Sequence, residues 1–299
     1  MLYRNLSSYL RERYGKRLDK ICIDGGFTCP NRDGSCGVGG CIFCGERGAG
    51  EHIDPARSIG DQVRLRLENA KTSDIFIAYF QNFTNTYAPV EMLKERYDAA
   101  LIDERIKVLA VGTRPDCISE DICRLLAEYK KDREVWVELG LQTASDATAR
   151  IINRGYDTEV FEKAMQMLGK YGLKTVVHLM MGLPGESVED MKRTVDFVAR
   201  FPIFGLKIHS IYVMRGTQLE ELYLEKRYTP PTLDEFCEAA AYAIARMPED
   251  VVIHRLTGDC PRGMLVAPEW NSDKTAVIDA VMRRMGELGY KQGSLAVTI

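Results

Sequence analysis

Residues 20–44 read KICIDGGFTCPNRDGSCGVGGCIFC. The first five form a short β-prone run, and the glycines that follow stop it. Four cysteines, Cys29, Cys36, Cys41 and Cys44, then fall within sixteen residues. A strand that runs straight into a thiol-bearing loop is the first unit of a pattern that the rest of the chain repeats. Further strand-like runs lie at 74–80, 106–112, 134–140, 174–182 and 206–213. Most are apolar on both faces, as strands covered on both sides are. Amphipathic segments near 56–71, 89–101, 118–130, 145–170 and 187–201 separate them, the last opening on the capping signal Ser187-Val188-Glu189-Asp190. Six β-then-α units in a row predict a parallel α/β sheet with right-handed crossovers, open or curled into a full or partial barrel.

The chain has 299 residues, 45% of them hydrophobic and 28% charged, with a formal net charge of −3. These are values of a globular protein with a sizeable core. No apolar run reaches the ~18 residues of a membrane span, and the first residues carry no secretory signal, so a cytoplasmic location is expected. Nine cysteines, an odd number in a long chain, argue against a disulfide framework. The net charge gives no global sign of nucleic-acid binding. Locally, Arg4, Arg11, Arg13, Lys16, Arg17 and Lys20 make the N-terminus basic, and a helix is expected at 4–15. A solvated helix face explains that segment on charge alone. The predicted divisions are a basic N-terminal helix (1–18), a barrel (19–224) and, after Pro230-Pro231, a C-terminal α/β extension packed on the barrel (225–299). The extension contains a helix at 233–246, a strand-like run at 251–256 and a helix at 273–289.

In parallel α/β folds, ligands bind at the carboxyl ends of the strands. The polar or glycine-rich stretches of this chain all follow strands: the cysteine loop, QNFTNTYAP (81–89), TRPDC (113–117), LQTA (141–144), LPGE (183–186) and MRGTQ (214–218). Six such loops at one rim would surround one site. Structural zinc takes four ligands, usually in two close pairs, and the loop offers only one close pair. An iron–sulfur cluster also takes thiolates and can leave one iron open. Spacing leaves both possible; placement at a ligand-binding rim favours three thiolates and an open iron.

Taken together, GGFTCPNRDG, GGCIFC, YFQ, TNTYAP, GLQTA, NRGYD, HLMMGLPGE, RGTQLE, RLTGDCPR and APEW resemble the YtqA/YhcC family of radical S-adenosylmethionine (SAM) enzymes, relatives of the catalytic subunit of Elongator. The resemblance runs from about residue 3 to the C-terminus. It implies a partial (β/α)6 TIM-like barrel and a 4Fe–4S cluster on Cys29, Cys41 and Cys44, with SAM on the fourth iron. Cleavage of SAM to a 5′-deoxyadenosyl radical follows from that. Cys36 does not match a family ligand position and ranks well below Cys29 as a stand-in.

The resemblance further implies that Phe43 lies beside the cluster. Glu138 and Gln142 would hydrogen-bond the SAM ribose, with a buried structural carboxylate as the other reading of Glu138. Arg114 and Arg154 would pair with the SAM carboxylate, although Arg114 has Asp116 as a rival partner. Gln81 stands where many radical SAM enzymes carry a Gly-Gly-Glu segment for the methionyl amine. Gly182 would make a tight turn at the adenine end. No catalytic residue is assigned. His178 and His209 are expected as satisfied core or rim histidines, Cys117, Cys123 and Cys237 as small buried hydrophobes, and Cys260 as a structural loop thiol.

The family relation also implies a tRNA substrate, with the wobble-uridine side chain trimmed from carboxymethylaminomethyl to aminomethyl, and an electron donor such as flavodoxin or ferredoxin. The basic N-terminal segment, Arg262 and the arginines at 283–284 would supply the positive surface such an RNA needs, with Tyr87 or Trp270 stacking a flipped base. Two other readings are a radical SAM oxidase of a small carboxylated molecule such as a porphyrinogen, and a zinc-stapled binding module without catalysis.

Overall fold

The computed structural model describes residues 2–48, 56–71, 74–261 and 263–296. In chain order the elements are α1 (Leu6–Tyr14), β1 (Asp19–Ile23), α2 (Ile59–Glu68), β2 (Phe76–Phe80), α3 (Val90–Ala100), β3 (Ile106–Thr113), α4 (Glu120–Tyr129), β4 (Glu134–Gln142), α5 (Asp146–Ile151), α6 (Thr158–Lys170), β5 (Lys174–Met181) and α7 (Val188–Val198). There follow β6 (Gly205–Ser210), β7 (Val213–Met214), α8 (Gln218–Leu224), α9 (Leu233–Arg246), β8 (Val252–Arg255), β9 (Leu265–Ala267) and α10 (Lys274–Glu287). The main sheet has seven parallel strands in the order β1-β2-β3-β4-β5-β6-β8, curled into a half-barrel.

Strand residues two apart share a face, so each strand splits between two cores. Outward residues such as Phe80, Leu109, Val137, Leu179 and Ile208 pack with Leu93, Leu126, Phe161 and Val195 of the surrounding helices. Inward residues Ile77, Val108, Trp136, Val176 and Val252 form a second cluster with Tyr9 and Leu10 of α1. Above that cluster the inward positions turn polar, and the site begins there.

Several expectations are corrected. The run 251–256 does not merely pack on the barrel. As β8 it pairs in parallel with β6 and extends the expected six strands to seven, because a sheet edge left open at β6 offers its unpaired backbone groups to it. The expected helix 145–170 is two helices. Asn153 and Gly155 adopt left-handed φ values of 53° and 82° in the turn between them, a conformation helices do not continue through. The run 206–213 also breaks: β6 ends at Ser210, and β7 pairs antiparallel with β9 in a separate two-stranded sheet.

The basic N-terminal helix lies at the wrong end of the barrel for its expected role. Tyr9 and Leu10 are 7% and 2% exposed and close the amino-end mouth of the strands. Glu134 fixes the helix there, accepting from Tyr9 Oη at 2.6 Å, Tyr14 Oη at 2.9 Å, Trp136 Nε1 at 2.7 Å and Lys174 Nζ at 2.6 Å. Two buried side chains thus decide where the helix docks, at the end of the barrel opposite the loops.

Candidate active site

The carboxyl ends of the strands surround a chamber of about 1060 Å³. Cys29, Cys41 and Cys44 line it, and so do Phe43, Gln81, Arg114, Glu138, Gln142 and Arg154. Cys36 is exposed, and its Sγ lies 4.0 Å from Asp116 Oδ2. Three thiols of the loop therefore face the chamber while the fourth faces solvent. That donor set does not make a closed four-thiolate zinc site. The three chamber-lining thiols match in number the ligands of a cluster with one open iron, while among the described residues no three His, Cys, Asp or Glu side chains form a preassembled metal cage.

Two residues unmarked in the sequence reading fold the cysteine loop. Asn31 is fully buried; its Nδ2 donates to the Asn153 carbonyl and lies 3.7 Å from Cys41 Sγ. Arg32 clamps the other end, donating from Nη2 to the Gly45 carbonyl at 2.6 Å and from Nη1 to the Glu46 carbonyl at 3.2 Å. The loop closes over them so tightly that a Cβ at Gly37 would sit 2.3 Å from Asn31 Oδ1. Their only sequence signal is a polar pair, Asn31-Arg32, next to a proline among glycines.

The arginines are committed within the protein. Arg114 makes a two-pronged pair with Asp116, Nε to Oδ1 at 2.9 Å and Nη2 to Oδ2 at 2.7 Å, and donates to the Arg154 carbonyl at 2.9 Å. Of its two readings, the structure carries the Asp116 pair. Arg154, 1% exposed, donates to the carbonyls of Tyr156, Leu141 and Thr143 and to Asp146 Oδ1, which takes four of its five N–H groups. Both guanidiniums lie over the Tyr156 ring, at 4.9 and 4.5 Å from its centroid. Arg154 holds the end of β4 and the NRGYD turn together and does not present a free fork to a carboxylate.

Gln142 sits at the register shift between β4 and β5 with φ 63°, which is uncommon and costly for a side-chain-bearing residue. Tyr156 Oη lies 3.3 Å from Gln142 Oε1 and donates to the Gly140 carbonyl, bracing the strained turn. Gly182 is placed differently from the other expected residues. A Cβ there would meet Pro231 Cγ at 2.4 Å, and its carbonyl accepts from Tyr228 Oη at 2.7 Å. It forms the seat of the Pro230-Pro231 connector.

The chamber floor is a buried polar layer on strands otherwise apolar. Glu138, 1% exposed, pairs with Lys207 Nζ and lies 3.0 Å from His178 Nε2. Burial would raise the Glu138 carboxyl, but Lys207, His178 and Lys20 outweigh it and hold the group well below the usual carboxylate range. Burial lowers His178 to about 4, so it is neutral at neutral pH. Tyr79 Oη accepts from Lys207 Nζ at 3.1 Å. Among the described residues His209 Nε2 has no hydrogen-bond partner, so the expectation of a satisfied histidine is not met there. Lys207, missed in the sequence reading, was visible only as one charge at an inward position of an apolar strand.

Glu186, at the LPGE turn, is half-buried. Desolvation raises its carboxyl to about 7, against hydrogen bonds from Thr143 and Thr148 that lower it. The folded state therefore binds the proton more tightly than the unfolded state, whose value is near 4.5. Stability is fully present below 4.5 and falls as pH rises through about 7. Glu186→Gln should abolish that slope and raise stability above neutral pH by about 2 kcal/mol, discounted from the ~1.4 kcal/mol per unit of a fully buried group. Urea unfolding of both proteins across the range checks it; parallel stability profiles would refute the assignment.

Residues 29–198 match the Radical SAM superfamily, and residues 203–287 match the Radical_SAM C-terminal domain. The chain belongs to the radical SAM superfamily and is an enzyme that uses a 4Fe–4S cluster and SAM, so the reading as a non-catalytic zinc module is set aside. Within that class it is similar to YtqA of Bacillus subtilis (strain 168), with 34% identity over 97% of this chain and 92% of the relative. It is also 32% identical to a tRNA uridine(34) acetyltransferase of Methanocaldococcus infernus, over 66% of this chain and 36% of that protein. Among solved structures, the archaeal Methanocaldococcus infernus Elp3 superposes with a TM-score of 0.70 at 23% identity, over 92% of this chain and 64% of that one. Among the described residues no helix is long and apolar enough to cross a membrane.

Proposed function

We propose that this enzyme remodels the wobble uridine of tRNA, converting its carboxymethylaminomethyl side chain to aminomethyl. The observation that carries the reading is the similarity to a tRNA uridine(34) acetyltransferase across two thirds of the chain. In this reading Cys29, Cys41 and Cys44 hold the cluster and Phe43 shields it. Gln81, Glu138 and Gln142 border SAM, while Arg114 and Arg154 brace the wall behind it. When bound, the cluster and SAM supply radical chemistry; the protein positions the substrate and keeps water out. A small donor protein such as flavodoxin or ferredoxin delivers the electron.

The RNA-facing surface differs from the sequence expectation. Of the N-terminal cations, Lys20 lines the chamber while those of α1 lie at the far end of the barrel, and Arg262 lies outside the described residues. Arg284 is paired with Glu238 and Glu287. Trp270 stacks on Phe236 at 5.3 Å and donates to the Pro231 carbonyl, so it is not free to stack a base. Cations also line the chamber itself, Arg32, Arg255 and Lys274 among them. Nucleoside analysis of tRNA from a strain lacking the gene should show carboxymethylaminomethyluridine accumulating at the expense of aminomethyluridine. An unchanged wobble-uridine profile would overturn the reading, and turnover of a porphyrinogen without RNA would favour a small carboxylated substrate.

A further inference from the structure

Two parts of the chamber lining differ in chemistry. On the wall bearing the cluster cysteines, Arg114 and Arg154 are already bonded to Asp116, Asp146 and backbone carbonyls. Other lining residues come from the chain after β6, which packs on the cysteine loop where the Leu219 amide donates to the Ile42 carbonyl at 2.9 Å. In that part of the chain Arg255 Nη2 lies 3.2 Å from Asp259 Oδ2, and Lys274 Nζ pairs with Asp259 Oδ1. One carboxylate serves two cations, which leaves this cluster with a net charge of +1.

Lys20 adds to the excess. It makes no ion pair with the described residues, and its Nζ rests 5.3 Å from the Tyr79 ring centroid, a ring that Lys207 also approaches at 4.5 Å. Lys20 is on β1 and Arg255 on β8, the two edge strands of the sheet, so they flank the side on which the half-barrel is open. Lys207 is neutralised by Glu138. Lys20, Arg255 and Lys274 thus face the chamber with one acid, Asp259, among them. Arg255 and Lys274 are half-exposed, 32% and 50%, so an incoming anion reaches them without disturbing the core.

We propose that Arg255 and Lys274, with Lys20 at the open edge, form an anion subsite that holds a carboxylate of the substrate in the chamber that the cluster cysteines also line. The inference rests on the proposed function in one respect: the carboxymethylaminomethyl side chain ends in the monoanion that a +1 cluster would neutralise. An arginine fork beside a lysine suits such a group, since charge-assisted hydrogen bonds are about twice as strong as neutral ones. A phosphodiester of the RNA backbone has the same charge and is the rival source.

The test uses the cluster-loaded protein under anaerobic conditions and two anticodon stem-loops, one carrying carboxymethylaminomethyluridine and the other aminomethyluridine. Wild-type protein should bind the carboxylated RNA about tenfold more tightly, the low end for charged hydrogen bonds. Arg255→Gln and Lys274→Gln should each bring that ratio towards one, while affinity for the aminomethyl RNA and for SAM stays unchanged; Lys274→Arg should restore it. Equal weakening for both RNAs assigns the contact to phosphate and overturns the proposal, as does a preference that survives both variants. The free nucleosides separate this question from the RNA reading. A carboxylate preference that Lys274→Gln abolishes supports the subsite even where neither stem-loop binds, and its absence in both formats refutes it.

Discussion

Cys29→Ala, Cys41→Ala and Cys44→Ala should each give a folded protein that fails to take up iron, whereas Cys36→Ala should reconstitute to about four irons per chain. The difference follows from where the loop turns its thiols. Cys29, Cys41 and Cys44 border the chamber; Cys36, anchored by its amide to the Pro30 carbonyl at 2.8 Å, sends its Sγ outward. Two thiolates leave a second iron without a protein ligand, so the loss should be complete, with SAM cleavage falling to background. Iron and sulfide content, the brown absorption and deoxyadenosine formation are the readouts. Iron lost in Cys36→Ala but kept in Cys29→Ala would reverse the assignment.

Lys207→Ala should be the most destabilising change in the chamber floor. Glu138 and Lys207 have side-chain exposures of 1% and 3%, so removing the ammonium strands a carboxylate that water cannot reach. Breaking a buried pair by removing one partner costs about 3–5 kcal/mol, whereas replacing both with apolar groups is often neutral. The double variant Lys207→Met/Glu138→Leu should therefore regain most of the lost stability in urea unfolding. Its affinity for SAM should remain weak, because Glu138 is the residue proposed to border the ribose. A Lys207→Ala protein as stable as wild type would show that the carboxylate is solvated after all.

The repeating units were legible because local signals agreed. Apolar strands stood between amphipathic helices, and the cap at Ser187 makes the reciprocal hydrogen bonds of a capping box. The three chamber-facing cysteines were legible too, through the resemblance of their motif rather than spacing alone. What stayed hidden depends on distant partners. NRGYD breaks a helix because Arg154 must reach the carbonyls at the end of β4. The 251–256 run read as a strand, but its neighbour β6 could not be named before the sheet had curled. Lys207 looked like an ordinary interruption of an apolar run until Glu138, some seventy residues earlier, supplied its reason. The N-terminal charges suggested an RNA-binding arm, yet Tyr9 and Leu10 outweigh them in deciding where the helix goes, since burying each contributes roughly 1.5–3 kcal/mol while solvated charges have no preferred side.

The segment entering α1 is stitched to the far end of the chain. The Ile253 amide donates to the Arg4 carbonyl at 2.8 Å, the Gln292 amide to the Leu2 carbonyl at 3.0 Å, and the Arg4 amide to Gln292 Oε1 at 2.7 Å. A ribosome makes residue 4 long before residue 292, so this seam closes only after residue 292 has been made. Contacts of such long sequence separation are slow to form, because the loop entropy must be lost before they contribute. A chain clipped before residue 292 would keep α1 on Glu134 and lose two of these three hydrogen bonds at its entry.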